Sequence, residues 1–125
     1  MIEIWVVLYL LFLHWVADFV LQSEEMANEK SKSIYALTMH IIIYGMIMLI
    51  GFMFFLVEPI FYVTGGQALL ICFLISIFHW ITDFITSKIN KKLYKQKKIH
   101  KFFVSVGFDQ WLHVAQILLI YGWIT

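Results

Sequence analysis

Four apolar runs, each long enough to cross a bilayer, make up nearly all of this 125-residue chain. Two of them carry the same polar phrase near one end. His14-Trp15-Val16-Ala17-Asp18-Phe19 recurs as His79-Trp80-Ile81-Thr82-Asp83-Phe84. A span needs about 20 mostly apolar residues. The runs lie near Ile2–Gln22, Ile34–Val57, Gln67–Ser87 and Phe103–Ile124. The chain is 62% hydrophobic and 14% charged, whereas soluble domains are about a quarter charged. The expected fold is an all-α membrane protein: a four-transmembrane-helix bundle forming one integral-membrane domain over residues 1–125. The first run lacks a positive flank and is interrupted by His14 and Asp18, so it reads as a retained span rather than a signal peptide. Cys72 is the only cysteine, which excludes an intramolecular disulfide.

Charge sets the expected orientation. All nine positive residues are lysines, confined to two loops. Lys30 and Lys32 fall in the first, and the rest lie between Lys88 and Lys101 in the third. The positive-inside rule then places these loops in the cytoplasm and both termini outside. Pro59 and Gly65-Gly66 bracket the external loop as turn residues, and Ser33 is placed to cap the second helix. Trp5, Tyr62, Tyr121 and Trp123 fit an outer aromatic belt. Trp15, Trp80 and Trp111 lie toward the lysine-bearing side. The stretch from Lys88 to Lys101 reads as an anchor on anionic headgroups, as a helical extension lying on the membrane. Nucleic acid is not an expected partner, because that basic face would be pressed against the bilayer.

The ionisable residues inside the spans form a pattern. His14 and Asp18, His79 and Asp83, and Asp109 and His113 are each four residues apart, so each pair shares a helix face. The first and third helices run inward and read His then Asp. The fourth runs outward and reads Asp then His. In all three, the aspartate lies nearer the cytoplasm and the histidine about one turn, roughly 5 Å, deeper. His40 of the second helix falls close to the histidine layer. The repeat therefore implies a pseudo-two-fold site with all four helices contributing.

A charge at a helix centre costs about 2.5–3.5 kcal/mol on insertion scales. Mutual hydrogen bonds are one way to offset that cost, but they average only about 0.6 kcal/mol in membranes. The set of His14, Asp18, His40, His79, Asp83, Asp109 and His113 instead points to one or two divalent ions, with zinc, manganese or iron as candidates. Gln22, Tyr44, Ser87 and Gln110 are placed to support the ligands. His100 reads as a surface histidine.

The string from His14 through Asp18 to Gln22, followed by Met26-Ala27 and Lys30, resembles a family of small bacterial integral-membrane proteins, domain of unknown function 3307. His40 with Tyr44, His79 with Asp83, and Asp109-Gln110 with His113 continue the likeness over almost the whole chain. The resemblance implies a multi-pass protein of the bacterial inner membrane and brings no established activity. It marks His14, Asp18, Gln22, Lys30, His40, His79, Asp83, Asp109, Gln110 and His113.

Four functions follow as expectations. The first is a membrane-embedded metal-dependent hydrolase acting on a lipid or lipid-linked phosphate, with Asp109 as general base and Lys30 meeting the phosphate. The second is a divalent-cation transporter or sensor. The third is a haem-binding bundle. The fourth is a structural subunit in a homo-oligomer or with a membrane-protein partner, with Gly45 and Gly51 allowing close packing. The chain shows no phosphate-binding glycine loop, catalytic serine motif or cysteine zinc site.

Overall fold

The computed structural model describes residues 2–56 and 63–125. Helix α1, Ile4–Trp15, continues through a π-helical turn, Val16–Val20. A short helix α2, Glu24–Glu29, precedes α3, Ile34–Leu56; α4, Gly65–Lys95; and α5, Ile99–Ile124. No strand occurs among the described residues. The Val57 end of the second expected span, Pro59 and Tyr62 lie outside them.

Three helices, α3, α4 and α5, are long and apolar enough to cross a membrane. The α1–π segment, Ile4–Val20, is shorter. At about 1.5 Å per residue it reaches about 25 Å, under the roughly 30 Å of a hydrocarbon core. The protein is thus a helical membrane bundle. Its outer surface is apolar, with Phe12, Phe54, Phe73 and Leu119 exposed. In water such a surface would be a liability; in lipid it is the expected solvent contact. Trp5 and Trp123 are exposed at one end, and Trp15 and Trp111 toward the other, as interfacial tryptophans are. Trp80 differs: its indole N–H donates to Thr38 Oγ1 at 3.2 Å, so it ties α4 to α3.

The helices form a ring. α1 packs on α3 and α5, and α4 packs on α3 and α5. The two helices carrying the repeated phrase, α1 and α4, therefore face each other across the bundle axis. Leu10, Tyr44, Met48, Ile71, Ile75 and Ile117 fill the interior on one side of the polar residues. Cys72 is buried among them.

Three boundaries differ from the sequence expectation. The first helix stops being α-helical at Trp15. Leu21 N–H donates to Val16 O at 2.9 Å, five residues back, which widens the turn that carries Asp18. The lysine-rich stretch does not form a separate surface helix. α4 runs unbroken to Lys95, about 46 Å in all, so its basic end projects past an apolar core of about 30 Å. α5 then begins at Ile99, four residues earlier than expected, after a turn in which Lys97 takes φ 55°. That left-handed residue lets Lys98 N–H reach Leu93 O at 3.1 Å and close the helix end.

Side chains fix the other helix ends. Ser23 Oγ accepts from Met26 N–H, and Ser33 Oγ accepts from Ala36 N–H at 3.3 Å, the capping role expected of Ser33. Thr64 and Gln67 form a reciprocal capping box at the start of α4. Gln67 Nε2 also donates to Ile124 O at 3.0 Å, fastening α4 to the end of α5.

Gly51 sets the approach of α1 to α3. Tyr9 Oη donates to Gly51 O at 3.0 Å, and a β-carbon at residue 51 would collide with the Leu13 methyl groups. Gly51→Val should therefore lower stability by about 1–3 kcal/mol through overpacking. Gly107→Ala, where a β-carbon meets nothing within 4 Å, should leave stability unchanged or raised. Thermal unfolding of both variants in one detergent checks the difference. Equal melting temperatures would show that the α1–α3 approach is not set at Gly51.

Candidate metal centre

The π turn of α1 carries Asp18, α3 carries His40, α4 carries His79 and Asp83, and α5 carries Asp109 and His113. All six are buried. Sequence spacing alone predicts that each helix presents its polar residues on one face. The ring arrangement turns those faces inward, so side chains up to 95 positions apart in sequence meet at one depth.

The first group is Asp18, His40, His79 and Asp83, with one donor atom from each lying within 4.8 Å of the others. His40 Nε2 is 3.0 Å from Asp18 Oδ1 and 3.6 Å from Asp83 Oδ2. His79 Nε2 is 3.4 Å from Asp18 Oδ1 and 3.5 Å from Asp83 Oδ2. A tetrahedral ion with ligands at about 2.0–2.1 Å has ligand–ligand edges of roughly 3.3–3.4 Å. The four nitrogen–oxygen edges scatter around that value. His40 donates to Asp18. The two ring nitrogens of His79 are buried and have no hydrogen-bond partner among the described residues. Nε2 is engaged by the two carboxylates as ion pairs, whereas Nδ1 is left without a partner, which is costly in a buried position. The donor set of two imidazoles and two carboxylates fits a borderline divalent cation.

The second group is Asp83, Asp109 and His113. His113 Nε2 is 3.2 Å from Asp83 Oδ1 and 3.3 Å from Asp109 Oδ1. Asp83 belongs to both groups: Oδ2 faces the first and Oδ1 the second. The first group has four protein donors, as closed sites do. The second has three, as sites with an open position do.

Other expected site residues take different places. His14 stands outside both groups. Its Nε2 lies 3.0 Å from Gln110 Oε1 and its Nδ1 lies 3.1 Å from Tyr44 Oη. With Nε2–H donating to Gln110, the remaining lone pair on Nδ1 accepts from Tyr44 and is used up. Gln110 Nε2 also donates to Asp109 Oδ2 at 3.2 Å, so Gln110 links His14 to the second group. Tyr44 and Gln110 thus support His14. Gln22 Oε1 and Ser87 Oγ are buried and have no hydrogen-bond partner among the described residues. His100 is exposed, as expected.

Lys30 reaches into the site from the C-cap of α2. Its Nζ donates to Asp83 Oδ2 at 2.8 Å. Burial alone would pull this ammonium down. The carboxylates of Asp83 and Asp18 outweigh it, and the pKa stands above the ordinary lysine value. Lys30 therefore remains charged at neutral pH and partly neutralises the acidic cluster.

Three contributors escape a search for ionisable residues. Thr86 Oγ1 donates to Asp109 Oδ1 at 2.6 Å, and Gln116 Nε2 donates to Thr82 Oγ1 at 2.7 Å, joining α5 to α4. The available signal was spacing: Thr86 follows Asp83 by three positions, on the same helix face.

The bundle and the buried His/carboxylate cluster together define a helical membrane protein with a potential metal site. More specifically, the chain belongs to the family described as protein of unknown function DUF3307, whose model matches residues 6–125. No curated protein and no solved structure matches the chain.

The Lys30–Asp83 contact makes an ion and an ammonium rivals for one carboxylate oxygen. In chelator-treated protein, Lys30→Met should lower stability by up to about 3 kcal/mol, because a buried carboxylate loses its cation. The same variant should bind a divalent ion more tightly than the parent. Thermal unfolding with and without added zinc or manganese reads both effects. A variant that is destabilised and gains no affinity would show that Lys30 does not compete at Asp83 Oδ2.

Proposed function

We propose that this protein is an integral-membrane metal-dependent hydrolase whose substrate is a lipid or lipid-linked phosphate. The single observation that carries the reading is the first donor group, with four nitrogen–oxygen edges of 3.0–3.6 Å around one buried point. Asp18, His40, His79 and Asp83 would hold one ion, and Asp83, Asp109 and His113 a second. A bound divalent ion would supply Lewis acidity toward a phosphoryl oxygen and lower the pKa of water.

The remaining roles belong to the chain. Asp109 reaches the second group through Oδ1, and its Oδ2 accepts from Gln110. That oxygen is the general base: it takes a proton from water as the water oxygen bonds phosphorus and the phosphorus–oxygen bond to the leaving group breaks, and the proton then passes to the departing alkoxide to give the alcohol. Gln110, held by His14, orients it. Lys30 supplies positive charge for the phosphate.

Residues 1–125 act as a single domain in a bacterial inner membrane, with the lysine-bearing loops cytoplasmic and both termini outside. α1 with α3, and α4 with α5, are the halves of a pseudo-two-fold pair, each bringing one copy of the repeated phrase. The ring order α1–α3–α4–α5 supports that symmetry. The site would then open to the inner leaflet, where anionic lipids are the adjacent substrates. A second copy or another membrane protein is the expected partner on the apolar exterior.

Two other readings fit less well. Transport needs a polar route, but Leu10, Met48, Phe52 and Ile71 pack the axis on the far side of the site. A haem sandwiched by two imidazoles needs space between them, whereas the His79 and His113 rings stack at 4.0 Å.

Purified protein should carry one or two equivalents of zinc, manganese or iron by elemental analysis. His79→Ala should lose the ion of the first group, while His14→Ala should keep the same stoichiometry. Asp109→Asn should cut phosphate release from a lipid phosphomonoester by about a hundredfold or more. Folded parent protein that takes up none of these ions after dialysis against them would falsify the metal reading. Metal-loaded protein that releases no phosphate would remove the hydrolase and leave the centre.

A further inference from the structure

A cavity of about 480 Å³ opens at the basic end of the bundle, beside the carboxylate centre, between α4, the start of α5 and the α2 segment. Small-molecule sites typically occupy roughly 300–1,000 Å³. Lys30, Lys91 and Lys95 line it, and no carboxylate does. Its wall also holds Ser87 and Asn90, whose Oγ and Oδ1 are buried and have no hydrogen-bond partner among the described residues. Tyr94 and Phe102 supply an apolar side.

We propose that this cavity binds a phosphate group, and that it is the substrate-binding part of the site described above; the inference rests on that reading for its catalytic meaning, not for binding. Lys91 and Lys95 bring positive charge to a lining that holds no carboxylate, while the Lys30 ammonium is paired with Asp83, and an anion with several acceptor oxygens offsets the charge of the first two. Charge-assisted hydrogen bonds to phosphate are about twice as strong as neutral ones. Ser87 offers a hydroxyl donor, and the Asn90 amide can present its N–H₂ end. Of the two unpaired buried atoms on this wall, Ser87 Oγ is the donor that a bound phosphate would satisfy directly. Tyr94 and Phe102 give the glycerol or acyl portion of a headgroup an apolar surface.

Position links the cavity to the centre. Lys30 lines it while its Nζ donates to Asp83 Oδ2. Ser87 lies one helical turn beyond Asp83 on α4, so the cavity and the carboxylates share a helix face. A phosphate seated here would contact the same lysine that touches the acidic cluster. The basic residues Lys91 and Lys95 thus gain a specific role, distinct from the orientation signal they also provide.

The test is binding to chelator-treated, metal-free protein in detergent, read by native mass spectrometry with dioleoyl phosphatidic acid and by phosphorus NMR with inorganic phosphate. The double variant Lys91→Gln/Lys95→Gln should weaken phosphatidic acid binding by about tenfold or more. Ser87→Ala with Asn90→Ala should weaken it as well. Lys98→Gln/Lys101→Gln removes equal charge outside the cavity and should retain parental binding. Inorganic phosphate that competes with the lipid supports a free-phosphate source. Lipid binding that phosphate does not displace supports the headgroup source. Equal losses in the two lysine pairs, or no binding of either probe by folded protein, would overturn the cavity proposal. Folded parent protein that binds phosphate but takes up no divalent ion when one is supplied would sink the hydrolase reading and leave the cavity standing.

Discussion

The structure depends on the compensation of one buried carboxylate. Asp83 lies mid-bundle, and within 3.6 Å its two oxygens meet the Lys30 ammonium and the imidazoles of His40, His79 and His113. An isolated carboxylate in such a place would cost several kcal/mol. His40 of α3, His79 of α4, His113 of α5 and Lys30 at the C-cap of α2 offset that cost, and Asp18 and Asp109 share the same imidazoles. The bundle ring, the π turn and the entry of Lys30 are all arranged around it. Stability and chemistry thus meet at the same atom pair: Oδ2 takes the cation from one side, and Oδ1 turns to the other donor group.

That arrangement explains the apolar remainder of the molecule. A polar cluster shared by four helices fixes their rotation, because turning any helix removes a partner from a buried charge. The apolar half of the interior then only has to fill space. Leu10, Met48 and Ile71 do so, with Gly45 and Gly51 allowing the backbones to approach. The outer surface needs no partner for its backbone groups, since helices satisfy them internally. The long α4 carries its lysines to its far end, where Lys91 and Lys95 line a cavity.

Much of this was readable in the chain. The His-to-Asp spacing of four, with its order reversed in α5, was enough to place Asp18, His79, Asp83, Asp109 and His113 near one depth, because helix periodicity and direction are both visible in sequence. His40 joined them by its distance into α3. The family also followed from those residues. What escaped were features set by tertiary geometry. The π turn at Val16–Val20 leaves no signature in apolar periodicity. His14 shares the motif of His79 but meets Tyr44 and Gln110, since two copies of one phrase enter different surroundings. Lys30 was legible as a site residue, but its bond to Asp83 follows only from the fold of the α2 segment. Thr86 is an ordinary helix residue until Asp109 lies within reach.

The central claim is that the buried donors surround a cation. The most direct measurement is anomalous scattering from crystals of the purified protein loaded with zinc, recorded at the zinc edge. The account predicts a strong peak among Asp18, His40, His79 and Asp83 with ligand distances of about 2.0–2.2 Å, and Lys30 no longer bonded to Asp83 Oδ2. A map with the same fold, no peak at that point and Lys30 still on Asp83 would contradict it.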